Sequence, residues 1–392
     1  MFADIKERGL KMKLDILIKN GHVVDTTQGI DEVKDIGIYR GRIVDITNDN
    51  LEFDKIVNAE DCYVFPGLID FHTHLFYTGS GIAIKPDLLL SNGITSAVDA
   101  GTSGYANYEA FHQSVISNST VKIKSFINVY SGGQMGFNIS EDFNPELFNE
   151  NRIKDLKEKY KDEILGLKIR LGKEIVGDLG IEPLKAAIAL AEKVGDLSIC
   201  IHTTNPPCKA GEIAKLLRKG DVYCHVYNGK ENNIINENGK VYEEIKEARK
   251  RGVIFDAANG KSNYCNNVAA KAIKDNFLPD IISSDITSEK YNYGNHGRSL
   301  SFILSKYLSM DIDIKEIIKT VTEIPAKLMG MENEIGTLKP NAYGDVAVFK
   351  LIDRKVIHKD HKSDVFVGNK LLIPQMTVSN GKIVYCQEDF NL

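Results

Sequence analysis

His72 and His74 stand one residue apart at the end of an apolar run, Val64-Phe65-Pro66-Gly67-Leu68-Ile69-Asp70-Phe71-His72-Thr73-His74. Along an extended chain residues i and i+2 share a face, so both imidazoles leave the end of such a strand on the same side. Imidazoles presented together suit a divalent cation of the zinc type. The same pair could equally be a hydrogen-bonded core feature, since buried ring nitrogens need partners. The rest of the chain decides between the two.

Four more residues with ligand chemistry sit in or close short apolar runs of the same texture. His202 follows Ile199-Cys200-Ile201, His225 follows Val222-Tyr223-Cys224, Asp285 follows Ser283-Ser284, and Lys168 lies within Ile164-Leu165-Gly166-Leu167-Lys168-Ile169-Arg170. If these runs are parallel strands of one sheet, four histidines, an aspartate and a lysine converge on one mouth. A charged lysine contradicts a cation site, because it repels the ion and offers no lone pair. Burial and nearby positive charge favour the neutral amine. A neutral amine can combine with carbon dioxide to give an anionic carbamate, whose two oxygens can bridge two ions. The expected cofactors are therefore two divalent metal ions, with zinc suited to the donor set, and a carbamylated Lys168.

The elements that must position these residues follow from hydrophobic periodicity. Short apolar runs over 64–69, 95–99, 121–129, 164–169, 198–201, 222–225, 253–256 and 281–284 alternate with helical patterns over 147–160, 183–194, 210–219, 241–250 and 300–310. Asn144-Pro145-Glu146 looks like an N-cap with proline in the first turn, leading into the first of these helices. Eight strands each followed by a helix predict a (β/α)8 TIM barrel, whose catalytic groups lie at the C-terminal strand ends. Both ends of the chain instead carry short alternating strands, over 14–18, 21–25, 35–39 and 41–46 and again over 345–350 and 376–385. These predict one small β-sandwich domain built from both termini, residues 1–64 with 336–392, around a barrel of residues 65–335.

A chain of 392 residues suits a barrel of roughly 250 residues with an added domain. A net charge of −5, with Lys and Arg interleaved among Asp and Glu, leaves no basic face for nucleic acid or a membrane surface. No apolar run is long enough to span a bilayer, and the N-terminal residues are too polar for a signal peptide, so a cytoplasmic location is expected. The six cysteines form no Cys-x-x-Cys pair and read as free thiols. The partner implied is a small-molecule substrate, with a homo-oligomer left open.

With these residues in place, the sequence resembles the amidohydrolase superfamily of binuclear metal hydrolases, and within it the deacetylase and dihydroorotase-like branch. The resemblance rests on the Pro66–His74 motif, on Gly166-Leu167-Lys168-Ile169-Arg170, on His202 with Pro206-Pro207, on His225-Val226-Tyr227-Asn228-Gly229, on Ser284-Asp285, and on Gly336-Thr337-Leu338 leading to Asp345. It implies that His72, His74 and Asp285 hold one metal, His202 and His225 the other, and carbamylated Lys168 bridges them. It further implies hydrolysis by a metal-bridging hydroxide, with Asp285 as general acid and base.

On the substrate side, Arg170 lies two residues beyond Lys168 on the same strand face and could bind a carboxylate bidentately, or form a salt bridge in the barrel wall. Tyr227 and Asn228 follow ligand His225 and could contact substrate or pack a loop. His296, with Arg298, falls in the loop after strand 8 and is a further substrate candidate. Dihydroorotases continue the first motif as His-x-His-x-Arg, whereas Leu75 and Phe76 follow here. Deaminases of the superfamily carry His-x-x-Glu in the strand 6 region, whereas His225 is followed by Val226, Tyr227 and Asn228. Deacetylase relatives often show Gly-His-Gly after the strand 7 aspartate, where this chain has Asp256-Ala257-Ala258-Asn259-Gly260. The expected activity is amide or ester hydrolysis, with a deacetylase of small N-acyl amino acids or acylated hydroxy acids foremost. A cyclic amidohydrolase of the hydantoinase or dihydroorotase kind and a non-catalytic barrel that binds a partner are the alternatives.

Overall fold

A computed structural model describes residues 12–46, 51–293 and 299–390. Two sheets are built from the chain ends. One runs Arg42–Val44, Ile36–Tyr39, Met12–Lys19 and Leu51–Asn58 in spatial order. The other runs Lys382–Cys386, Val365–Ser379, Val346–Lys359, Tyr63–Pro66, His22–Asp25 and Ile30–Val33. Inward side chains of both, among them Ile16, Ile38, Val57, Val64, Val348 and Val378, share one buried cluster, as alternation along two facing sheets requires. The sandwich is therefore assembled from both termini.

The centre is a parallel sheet curled into a barrel, with strands Leu68–Thr73, Ile94–Gly104, Lys122–Asn128, Ile164–Arg170, Ser198–His202, Val222–Cys224 and Ile254–Asp256 paired in chain order. The eighth expected strand, 281–284, is reduced to two bridges, Asp256↔Ile281 on one side and Thr73↔Ile286 on the other. Backbone bonds from Ala257 N to Ile281 O (2.9 Å) and from Asp285 N to His72 O (2.8 Å) close the ring. Alternation sorts the side chains: Ile199 and Ile201 pack outward against the helical layer, while Cys200 turns into the barrel.

Two expectations need correction. The run 64–69 is not one strand: Tyr63–Pro66 pairs with Val346–Lys359 in the sandwich, Gly67 N bonds Asp345 O, and the barrel strand begins at Leu68. The helix expected over 147–160 starts later, because Asn144 caps only a 3-10 turn, Pro145–Leu147, and Asn149 caps the α-helix Glu150–Lys159 through Arg152 N. The helix Glu182–Lys193 shows the expected apolar stripe, burying Leu184, Ala187, Leu190 and Ala191. Among the described residues no helix is long and apolar enough to cross a membrane.

Candidate metal centre

The six expected ligands gather at the C-terminal ends of the barrel strands, and each is nine-tenths or more buried. Three histidines have Nδ1 engaged from behind: His72 on Asp256 Oδ2 (3.1 Å), His74 on Thr102 Oγ1 (2.9 Å) and His225 on the Ala258 carbonyl (2.9 Å). Because the carboxylate and the carbonyl accept, Nδ1 carries the proton in His72 and His225 and Nε2 keeps its lone pair. Thr102 Oγ1 donates to Asp99 Oδ2 at 2.7 Å, so it too accepts from its histidine. The freed Nε2 atoms face Asp285 Oδ1, at 3.2 Å from His74 and 3.7 Å from His72. His202 meets His225 edge-on, with ring centroids 4.4 Å apart. Buried lone pairs converging with a carboxylate, with the Lys168 amine 3.4 Å from His72 Nε2 beside them, fit a divalent cation.

The backbone is shaped for this. His225 and Asp285 adopt φ of 60° and 50°, a left-handed conformation that costs about 1–2 kcal/mol for such residues and that turns their side chains off the strand ends into the mouth. A Cβ at Gly260 would stand 1.9 Å from Asp285 Oδ2, and one at Gly101 would stand 2.4 Å from Lys168 Cβ. Both glycines make room for ligands.

The electrostatics follow from burial. It holds His72 and His202 well below the usual imidazole range and lowers His225 to about 3, so these rings are neutral donors. Burial works against the Asp285 carboxylate, yet the close contacts with His74, His72 and His225 outweigh it and hold Asp285 well below the usual carboxylate range. At Lys168 burial also opposes charge, but Cys200, Cys224 and Asp285 outweigh it and raise the amine above its ordinary value. A neutral Lys168 amine thus depends on the arrival of positive charge.

The centre opens into a cavity of 460 Å³ whose lining includes the apolar Ile82, Phe137 and Ile139 and the polar Arg170, Glu141, Lys230, Lys261 and Asn263. Arg170 reaches the cavity, but its Nη1 is ion-paired with Glu141, which also accepts from Asn128 (2.7 Å). Arg170 Nε is buried and has no hydrogen-bond partner among the described residues. Tyr227 and Asn228 are buried and are not among the residues that line the cavity. Tyr227 donates its hydroxyl to Phe277 O at 2.7 Å within the helical layer, and Asn228 donates to the Thr203 and His225 carbonyls. His296 and Arg298 lie outside the described residues. Sequence reasoning missed the supporting residues Asp256, Thr102 and Asp99, and also Asn263, which donates to Asp285 Oδ2 at 2.9 Å. Asp256 was detectable, since it ends strand 7 as Asp285 ends strand 8.

A barrel carrying four histidines, an aspartate and a lysine at its strand ends is the arrangement of a metal-dependent hydrolase. Residues 63–384 match the amidohydrolase family, and the chain belongs to it, as a hydrolase acting on carbon–nitrogen bonds. A deacetylase of Agrobacterium fabrum is 28% identical over 337 residues, 84% of this chain and 80% of its own length. Among solved structures, an adenine deaminase aligns with a TM-score of 0.85 at 26% identity, covering 95% of this chain and 100% of that one. A dihydroorotase aligns at 0.82 and 27% identity, covering 96% and 98%.

Proposed function

We propose that the protein is a deacetylase of small N-acyl amino acids or acylated hydroxy acids that works with two divalent ions, zinc being suited to the donors. His72, His74 and Asp285 would hold one ion, His202 and His225 the other, and Lys168, as its carbamate, would lie between them. When bound, the ions supply an activated water at neutral pH and polarise the scissile carbonyl.

Asp285 carries this reading. Its Oδ1 faces both histidines of the first barrel strand, while Oδ2 is held by Asn263 on the cavity wall. Charged at neutral pH, it can take a proton from the nucleophilic water and return it to the departing nitrogen or oxygen. Arg170, whose guanidinium is partly exposed at the cavity, and Lys230, which forms no ion pair among the described residues, offer contacts for a substrate carboxylate. Phe137 and Ile139, 59% and 48% exposed at the cavity, offer an apolar wall for a side chain. The similarity to the Agrobacterium deacetylase supports acyl substrates. Phe76, where dihydroorotases place arginine, is buried against Phe111 with ring centroids 5.1 Å apart, which speaks against dihydroorotate.

Metal analysis combined with hydrolysis assays on N-acetyl amino acids of both hands, O-acetyl hydroxy acids and cyclic amides tests the proposal. Acetate release with two ions per chain is expected. Turnover of cyclic amides alone would overturn the deacetylase assignment in favour of a cyclic amidohydrolase. A chain that purifies without metal, and whose Lys168 carries no added carboxyl mass, would overturn the binuclear centre.

A further inference from the structure

Cys200 and Cys224 are buried on neighbouring barrel strands with their sulfurs 3.3 Å apart, and neither lines the cavity. Lys168 Nζ lies 3.5 Å from Cys200 Sγ and 3.4 Å from His72 Nε2. One ring nitrogen of His72 and the two sulfurs all fall within 4.8 Å of one another. Nothing in the proposed hydrolysis uses the thiols.

The strand register decides what the pair can do. Cys200 sits opposite Val222, and Cys224 sits opposite His202, so the two cysteines are offset by two residues and one strand. That offset is about 6.6 Å along the strand and about 4.8 Å across, a Cα separation of about 8 Å. A disulfide needs less than about 7 Å. A tetrahedral zinc ion with metal–sulfur bonds of about 2.3 Å holds its sulfurs about 3.8 Å apart and a larger soft ion holds them wider, so the sulfurs, 3.3 Å apart here, reach such a spacing by a small side-chain movement outward.

We propose that Cys200, Cys224 and His72 form a site for a soft, thiophilic divalent cation of the cadmium class, beneath the hydrolytic centre and sharing His72 with it. On binding, each thiol releases its proton to solvent as its sulfur–metal bond forms, His72 contributes a ring lone pair, and two thiolates neutralise the ion. Occupancy and hydrolysis exclude each other, because the soft ion takes His72 and lies against Lys168. The exclusion rests on the proposed function; the binding site does not.

The test titrates the metal-loaded enzyme with Cd²⁺ and follows thiolate-to-metal charge-transfer absorption beside activity. Absorption should rise as activity falls, a dithiol chelator should reverse both, and X-ray absorption of the bound cadmium should show two sulfurs with nitrogen. Cys200→Ser and Cys224→Ser should each weaken cadmium binding by more than about 100-fold, beyond the loss expected for a supporting contact. Cys208→Ser and Cys386→Ser should leave the titration unchanged. A cadmium shell with fewer than two sulfurs, measured on the wild-type protein and so independent of how the variants fold, overturns the site. So does charge transfer that survives in both variants, or a Cys200–Cys224 disulfide recovered after peroxide treatment. The two-sulfur shell in a protein that hydrolyses no acyl substrate would leave the site standing and overturn the proposed function instead.

Discussion

His72 Nδ1 lies 3.1 Å from Asp256 Oδ2, and this contact sets which nitrogen of His72 faces the cavity. Asp256 is itself held by Ser283 Oγ at 2.6 Å and Ala258 N at 3.0 Å through its other oxygen. The ring is therefore aimed by a fully buried network on strands 7 and 8. Asp256→Asn should weaken metal affinity by about 10- to 100-fold while leaving the folded protein intact. Competition with a chelator of known affinity measures it, and unchanged affinity would demote Asp256 to a packing role.

Asp285 is assigned both ligation and proton transfer. Asp285→Asn should lower kcat by about 10²- to 10⁴-fold on acyl substrates, with metal content measured on the same sample. A variant that keeps its ions and its kcat would remove Asp285 from the proton path.

The charged state of Lys168 makes its modification conditional. In the metal-free chain the amine is held above its ordinary value, so bicarbonate alone should add no mass to it at neutral pH. Adding zinc with bicarbonate should add one carboxyl group. Lys168→Ala should lose activity and regain part of it with a short carboxylic acid. Carbamylation of the metal-free chain at pH 7 would contradict this order of events.

Asp70 gives a pH signature in stability. It is fully buried, accepts from Ser284 N at 2.9 Å through one oxygen only, and burial raises it to about 7. An unfolded aspartate ionises near 3.9, so between about 4 and 7 the native state holds a proton that the unfolded chain has lost. The stability contribution of Asp70 therefore falls as pH rises through that window and stays lower above it. Asp70→Asn should gain on the wild type between pH 5 and pH 8, on the order of 2 kcal/mol. Calorimetric melts at both pH values check it, and a pH-independent difference would refute it.

Phe137 leaves its ring exposed at the cavity, as an apolar contact awaiting a ligand would. Phe137→Ala should raise KM for substrates with large apolar side chains by about tenfold and leave N-acetylglycine unaffected. Equal effects on both substrates would show that the ring holds the loop and not the substrate.

Much of the centre was legible because its code is local. Two-residue alternation places Cys200 and His202 inward with Ile199 and Ile201 outward, whatever the strand pairs with, and a parallel barrel brings all strand ends to one mouth. The ligand types at those ends then speak for themselves. The surroundings of Tyr227 and Asn228 were not legible, for the opposite reason. The left-handed backbone at His225 redirects the chain beyond the strand, and no property of the local sequence says where the Tyr227 hydroxyl will find Phe277 O. The divided run at Gly67 was likewise invisible, since Val64 and Leu68 are equally apolar and only their partners assign them to different sheets.

The sequence by itself determined the alternation of strands and helices and the donors at the strand ends, because both depend on periodicity and residue chemistry along the chain. Only the tertiary structure decided which nitrogen of His72, His74 and His225 is free, that Arg170 is already paired with Glu141, and that Cys200 and Cys224 meet beside Lys168. Those outcomes depend on hydrogen bonds and contacts between residues tens to hundreds of positions apart, and burial gives them their strength.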